Sequence, residues 1–121
     1  MTVNNTKLNL LIAELGGWKE LPQHEFVKVY QPWQAKVYSS KYKHIRNYGA
    51  SLDACAEFEK SLTALQKLKF AFVLCSVVGS QGMQHGMLVE DVNRIAFATP
   101  IQRCLAYIRT VAPEREKEIY D

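Results

Sequence analysis

The sequence has little net charge, few cysteines and no long hydrophobic run, and each shortage excludes a class of protein. The formal charge is only +3, too small to argue for nucleic-acid binding by itself. The three cysteines, Cys55, Cys75 and Cys104, are an odd number with no CxxC or CxxH spacing. They read as buried, reduced thiols of a cytosolic protein. No formal charge falls between Lys69 and Glu90, yet the apolar run there, Phe70 to Val78, is far shorter than the ~20 residues of a membrane span. Residues 1–17 lack a basic stretch followed by a long apolar one, so they do not read as a signal peptide. Nucleotide P-loop, GxSxG, SxxK, HExxH and DxDxDG patterns are missing. His24, His44 and His85 each stand without a second His or Cys at ligand spacing, so neither a metal nor a cofactor is expected.

What is present fits one ordinary domain over residues 1–121. The chain is 48% apolar and 22% charged, as in folded globular proteins, with no repeat, low-complexity segment or linker. Leu8, Leu11, Ile12 and Leu15 recur at the spacing of one helix face, with Asn5 or Thr6 as the cap and Gly16-Gly17 as the stop. Trp18 follows, placed to pack back on that helix. Residues 26–38 are rich in Val, Phe, Tyr and Trp and are interrupted by Pro32. They predict two short strands, about residues 25–31 and 34–39. Residues 39–50 read as a polar, basic connection.

Ser51 caps a helix with Asp53 in its first turn, and Thr63 caps a following segment to Val78 that is apolar nearly all round. That segment is expected to be the most deeply buried helix; whether residues 52–78 form one helix or two stays open. Residues 79–88 predict a glycine-bearing loop. Thr99, Pro100 and Gln102 make a capping box with proline at the first helical position. Pro113 should end that last helix, leaving PEREKEIYD as an exposed charged tail. The expected fold class is α+β: one domain of three to four helices layered on a small antiparallel sheet.

Three blocks of the chain carry a family resemblance. Ile12-Ala13-Glu14-Leu15-Gly16-Gly17-Trp18 resembles an opening of the type IAELMGW. The stretch Tyr48 to Lys60, YGASLDACAEFEK, is similar to a YxxDLNAxHEFEK block. The stretch Ala98 to Thr110, ATPIQRCLAYIRT, is similar to a closing ATxxQRAEAFLRT block. Together, and in this order, they resemble the phage ABA-sandwich domain family, short proteins of phage genomes and prophages. The resemblance covers nearly the whole chain. It implies layers of helix, sheet and helix, and no shared activity. The chain departs from the family pattern in a longer, more basic stretch from Trp33 to Tyr48 and a long loop from Gly79 to Gly86, where an individual target would be read.

The candidate site follows from the first of these departures. Trp33, Lys36, Tyr38, Lys41, Tyr42, Lys43 and Arg46 interleave aromatics with cations, and no acid falls between residues 34 and 50. Cations suit phosphate, and flat rings suit bases, so a small phosphate-bearing nucleotide or a nucleic acid fits. An acidic protein surface fits the same residues. So does a solvated strand and loop whose tyrosines pack inward. His85, in the glycine loop, joins the candidate set, and Met83, Met87 and Leu88 there suit a partner or a second copy. Without a catalytic constellation, the expected function is an accessory binding protein, not an enzyme. It would engage or sequester a host protein or signalling nucleotide in the host cytoplasm, with counter-defence as one such role. The alternative is a nucleic-acid-binding module using residues 33–48. A homo-oligomer is compatible with both.

Overall fold

The computed structural model describes residues 2–20, 26–29, 39–42, 45–79 and 96–121; for the strands beyond Trp18 the description is of the backbone. Helix α1, Asn5–Leu15, starts at Asn4, whose side chain accepts from the Lys7 N–H. The cap lies just ahead of the residues expected for it. Asn5 is the first helical residue, and its Nδ2 donates to Asn47 Oδ1 at 3.1 Å. Gly16 closes the helix, and Gly17 at φ 89° takes the left-handed conformation open to glycine. The chain turns there, and Trp18 is buried in the core.

Helix α2, Leu52–Ser61, starts at Ser51, which accepts from the Ala54 N–H at 3.2 Å. Leu62 is extended, and α3, Ala64–Val77, begins anew from Thr63. Residues 52–78 therefore form two helices. The capping box explains the break: Gln66 takes the Thr63 N–H at 2.9 Å, which a continuous helix would have bonded backwards. Helix α4, Pro100–Val111, opens with the equivalent box between Thr99 and Gln102.

After α4 the chain does not trail away. Pro113–Ile119 is a 3-10 helix, and Ile119 has no exposed surface. The Ile119 carbonyl accepts from the Asn4 N–H at 2.7 Å, and Val3 bridges Tyr120. The tail expected to be exposed is so at Pro113, Glu114, Lys117, Glu118 and Asp121, but Ile119 within it belongs to the core and ties it to the start of α1.

Three short strands, β1 Trp18–Glu20, β2 Phe26–Val29 and β3 Ser39–Tyr42, pair antiparallel in that order. β2 falls within the 25–31 segment. The second expected strand, 34–39, lies outside the described residues except for Ser39, which opens β3, inside what was read as a connection.

The α+β sandwich expected from the sequence and implied by the family resemblance is overturned. Where side chains are described, the protein is mostly helical, with five helices and no sheet layer. The core is made by helices packing on one another: α3 against α4, α4 against α2, and the 3-10 helix against α1 and α4. Its centre is Leu8, Ile12, Cys55, Phe58, Cys104, Tyr107, Ile108 and Ile119. The Phe58 and Tyr107 rings stack at 4.4 Å, and burial raises the Tyr107 hydroxyl above its ordinary pKa. Trp18 is the strand residue seen in this core. Strand propensity at 26–29 gave extended backbone, but layering depends on which faces meet, and here helix faces meet helix faces.

Candidate functional site

Charge in the described chain is mostly spent internally. Each of the four described arginines pairs with glutamate: Arg46 with Glu57, Arg103 with Glu59 at 2.7 Å, Arg109 with Glu116, and Arg115 with both Glu14 and Glu118. Arg109 grips Glu116 through two nitrogens, at 2.6 and 3.1 Å. That grip holds the Glu116 carboxyl below its ordinary pKa, and the Arg109 guanidinium is raised in return. Glu57 accepts not only from Arg46 but also from Trp18 Nε1 at 3.2 Å and the Tyr48 hydroxyl at 3.4 Å. One carboxylate on α2 thereby ties residues 45–48 and the start of β1 to the helical core.

This arrangement bears on the basic aromatic segment. Arg46 is a member of it, and its guanidinium lies against Glu57. Lys41 and Tyr42 sit in β3, in register with Val27 and Phe26 of β2. Trp33, Lys36, Tyr38, Lys43 and His85 lie outside the described residues. So does the glycine loop beyond Gly79. Among the described residues, no group of three or more His, Cys, Asp or Glu could hold a metal, and no helix is long and apolar enough to cross a membrane.

Helix α3 presents a surface that the sequence reading assigned to the deep interior. Leu65, Leu68 and Phe72 are 77%, 55% and 49% exposed. Their i, i+3, i+7 spacing puts them in one stripe along the helix. Phe70 and Leu74 are buried on the other side, so α3 packs one face and bares another along its first two turns, while Cys75, the next position along the stripe, is buried. Beside the stripe is a groove of about 510 Å³, lined by Leu65, Leu68, Lys69, Phe72, Val73 and, from α4, Thr110. Thr110 adds little polarity, because its hydroxyl donates to the Ala106 carbonyl at 2.7 Å. Lys67 and Lys69 make no ion pair among the described residues, unlike the arginines.

These residues escaped the sequence reading because a helix that is apolar all round gives no direction to its amphipathicity. A signal was there: Lys67 and Lys69 interrupt the apolar pattern, and lysine is almost never fully buried without a partner. Chemically, the groove can take apolar side chains out of water, with two ammonium groups on the same helix.

No protein-family model, curated protein or solved structure matches the chain.

Proposed function

We propose that this is an accessory binding protein that engages a host protein through the exposed face of α3, and that the bound segment is an acidic amphipathic helix. The observation that carries this reading is the exposed Leu65–Leu68–Phe72 stripe and its groove. Apolar side chains on that helix would fill the groove, in the manner of a helix in a hydrophobic groove. Its carboxylates would meet Lys69, which lines the groove. A second copy of this chain is the poorer occupant, because a two-fold contact of α3 on α3 sets the same lysine against its copy. The resemblance to phage accessory proteins, which suggests a partner in the host cytoplasm, supports the choice of a host protein. The basic aromatic segment, with Arg46 engaged by Glu57, is the subsidiary surface.

The test uses Leu68→Glu/Phe72→Glu beside the unaltered protein. Both are cross-linked in host lysate, and cross-linked peptides are read by mass spectrometry. The reading requires a partner segment with apolar and acidic side chains, joined to Lys67 or Lys69 and lost in the variant. Thermal stability should be nearly unchanged, since both positions are half exposed. A dimer of this chain broken by the substitutions would overturn the reading. So would a nucleotide or nucleic-acid ligand that the variant retains and that dissociates steeply with salt.

A further inference from the structure

Two of the three cysteines meet in the core. Cys55 is in the first turns of α2 and Cys104 in the first turns of α4, 49 residues apart in sequence. Both side chains have no exposed surface, and their sulfurs are 4.0 Å apart. Each also lies near one backbone oxygen, that of Tyr48, at 3.3 Å from Cys55 Sγ and 3.4 Å from Cys104 Sγ. Cys75, on α3, is buried separately. A disulfide has its sulfurs about 2.05 Å apart, so the gap to be closed is about 2 Å, shared between two side chains.

We propose that Cys55 and Cys104 are an oxidisable dithiol, closed by a peroxide to an internal disulfide that fastens α2 to α4. The two sulfurs are not equivalent. The hydrogen bond shared with Cys104 lowers Cys55 below the ordinary thiol pKa, against burial and the Glu59 carboxylate, with the Arg103 guanidinium favouring the same direction. The shared hydrogen bond and burial push Cys104 up. Cys55, on the first turns of α2 beside exposed Leu52, is the sulfur that a peroxide reaches first, and it is the attacking thiolate.

Its sulfur attacks one peroxide oxygen and the O–O bond breaks. Hydroxide leaves, takes the proton that Cys55 gave up, and becomes water. The product is a sulfenic acid on Cys55. Cys104 Sγ then attacks Cys55 Sγ, the S–O bond breaks, and the departing hydroxide takes the Cys104 proton as a second water. Two thiols and one peroxide give one disulfide and two waters, and the two electrons lost by sulfur reduce the peroxide. Access comes through local opening of the first turn of α2, where Leu52 is exposed, so oxidation is slow compared with that of a surface thiol.

The experiment treats the reduced full chain with hydrogen peroxide below its unfolding temperature, alkylates what remains, and maps peptides by mass spectrometry. The expected product has lost two hydrogens, joins the Cys55 peptide to the Cys104 peptide, leaves Cys75 alkylatable once the chain is unfolded, and reverts with dithiothreitol. Closing so long a loop should raise Tm by on the order of 10 °C. Cys75→Ser should form the same link, and Cys55→Ser or Cys104→Ser should not. The mapping on the unaltered chain decides the matter even if those single variants fold poorly. Three alkylatable thiols after treatment, oxygen added to Cys55 without a link, or a link through Cys75 would each overturn the proposal.

Discussion

Replacing Ile119 by alanine separates a tail that is packed from one that is merely charged and exposed. Its side chain is completely buried, and its carbonyl is bonded to the Asn4 N–H. Ile119→Ala removes three carbons from a closed site. At about 0.8 kcal/mol per buried carbon that is ~2.4 kcal/mol, and the cavity left behind brings the cost to about 3 kcal/mol. Ile119→Val removes one carbon and should cost about 1 kcal/mol. Urea unfolding followed by far-ultraviolet circular dichroism measures this directly. With a slope of about 2 kcal/mol/M, the midpoint of Ile119→Ala should fall by about 1.5 M with the slope unchanged. Leu65→Ala is the control: the same kind of truncation at a site 77% exposed should cost under about 0.5 kcal/mol. If Ile119→Ala shifts the midpoint no more than Leu65→Ala does, the 3-10 helix is not part of the core and the packing described for it is wrong.

Thr63→Ala and Thr99→Ala should each destabilise by about 1 kcal/mol, since each hydroxyl accepts a backbone N–H in a capping box. The double variant should cost the sum of the two within about 0.5 kcal/mol, and a large departure would show that the boxes are not independent. Acid titration should expose the Arg109–Glu116 pair. Glu116 is held below its ordinary value of 4.5, so its contribution is complete above about that pH and is lost as pH falls through the lower folded value. Glu116→Gln should therefore flatten the fall of stability below pH ~4.5; an unchanged acid limb would refute the assignment.

What could be read from the sequence was local. A capping box spans four residues, so Thr63–Gln66 and Thr99–Gln102 announce themselves wherever the rest of the chain goes. The stop at Gly16-Gly17 and the return of Trp18 are of the same kind. The break between α2 and α3 was half legible: Thr63 was visible as a cap, but the extended Leu62 before it was not. The features that failed were long-range ones. Extended propensity at Phe26–Val29 suggested a sheet layer, but nothing in a strand's own residues says whether helices will cover it. PEREKEIYD looked solvated because its charges dominate it, yet Glu116 serves Arg109 and Arg115 serves Glu14. Ile119 among those charges was the neglected sign of burial. The approach of Cys55 to Cys104 spans 49 residues and has no spacing signature at all.

The candidate surface rests on a contrast between the two kinds of basic residue. Guanidinium forks match carboxylates in two-point geometry, as Arg109 does with Glu116 and Arg115 with Glu118, and each of the other two described arginines also meets a glutamate. Arg103 joins α4 to α2, and Arg115 joins the 3-10 helix to α1. These pairs are partly exposed, so they fix orientation more than they stabilise. Lys67 and Lys69 hold nothing within the described chain, and Lys69 borders the apolar residues that the core leaves uncovered. Were α3 simply a core helix with a spare face, that face should resemble the outer side of α2, where Asp53 and Lys60 are exposed. Instead it carries two leucines and a phenylalanine beside a groove. Their exposure has no benefit to the isolated fold, which gains only by burying them. The outward face of α3 is thus where a partner would add most, and there a single added carboxylate should weaken binding while leaving the helical core intact.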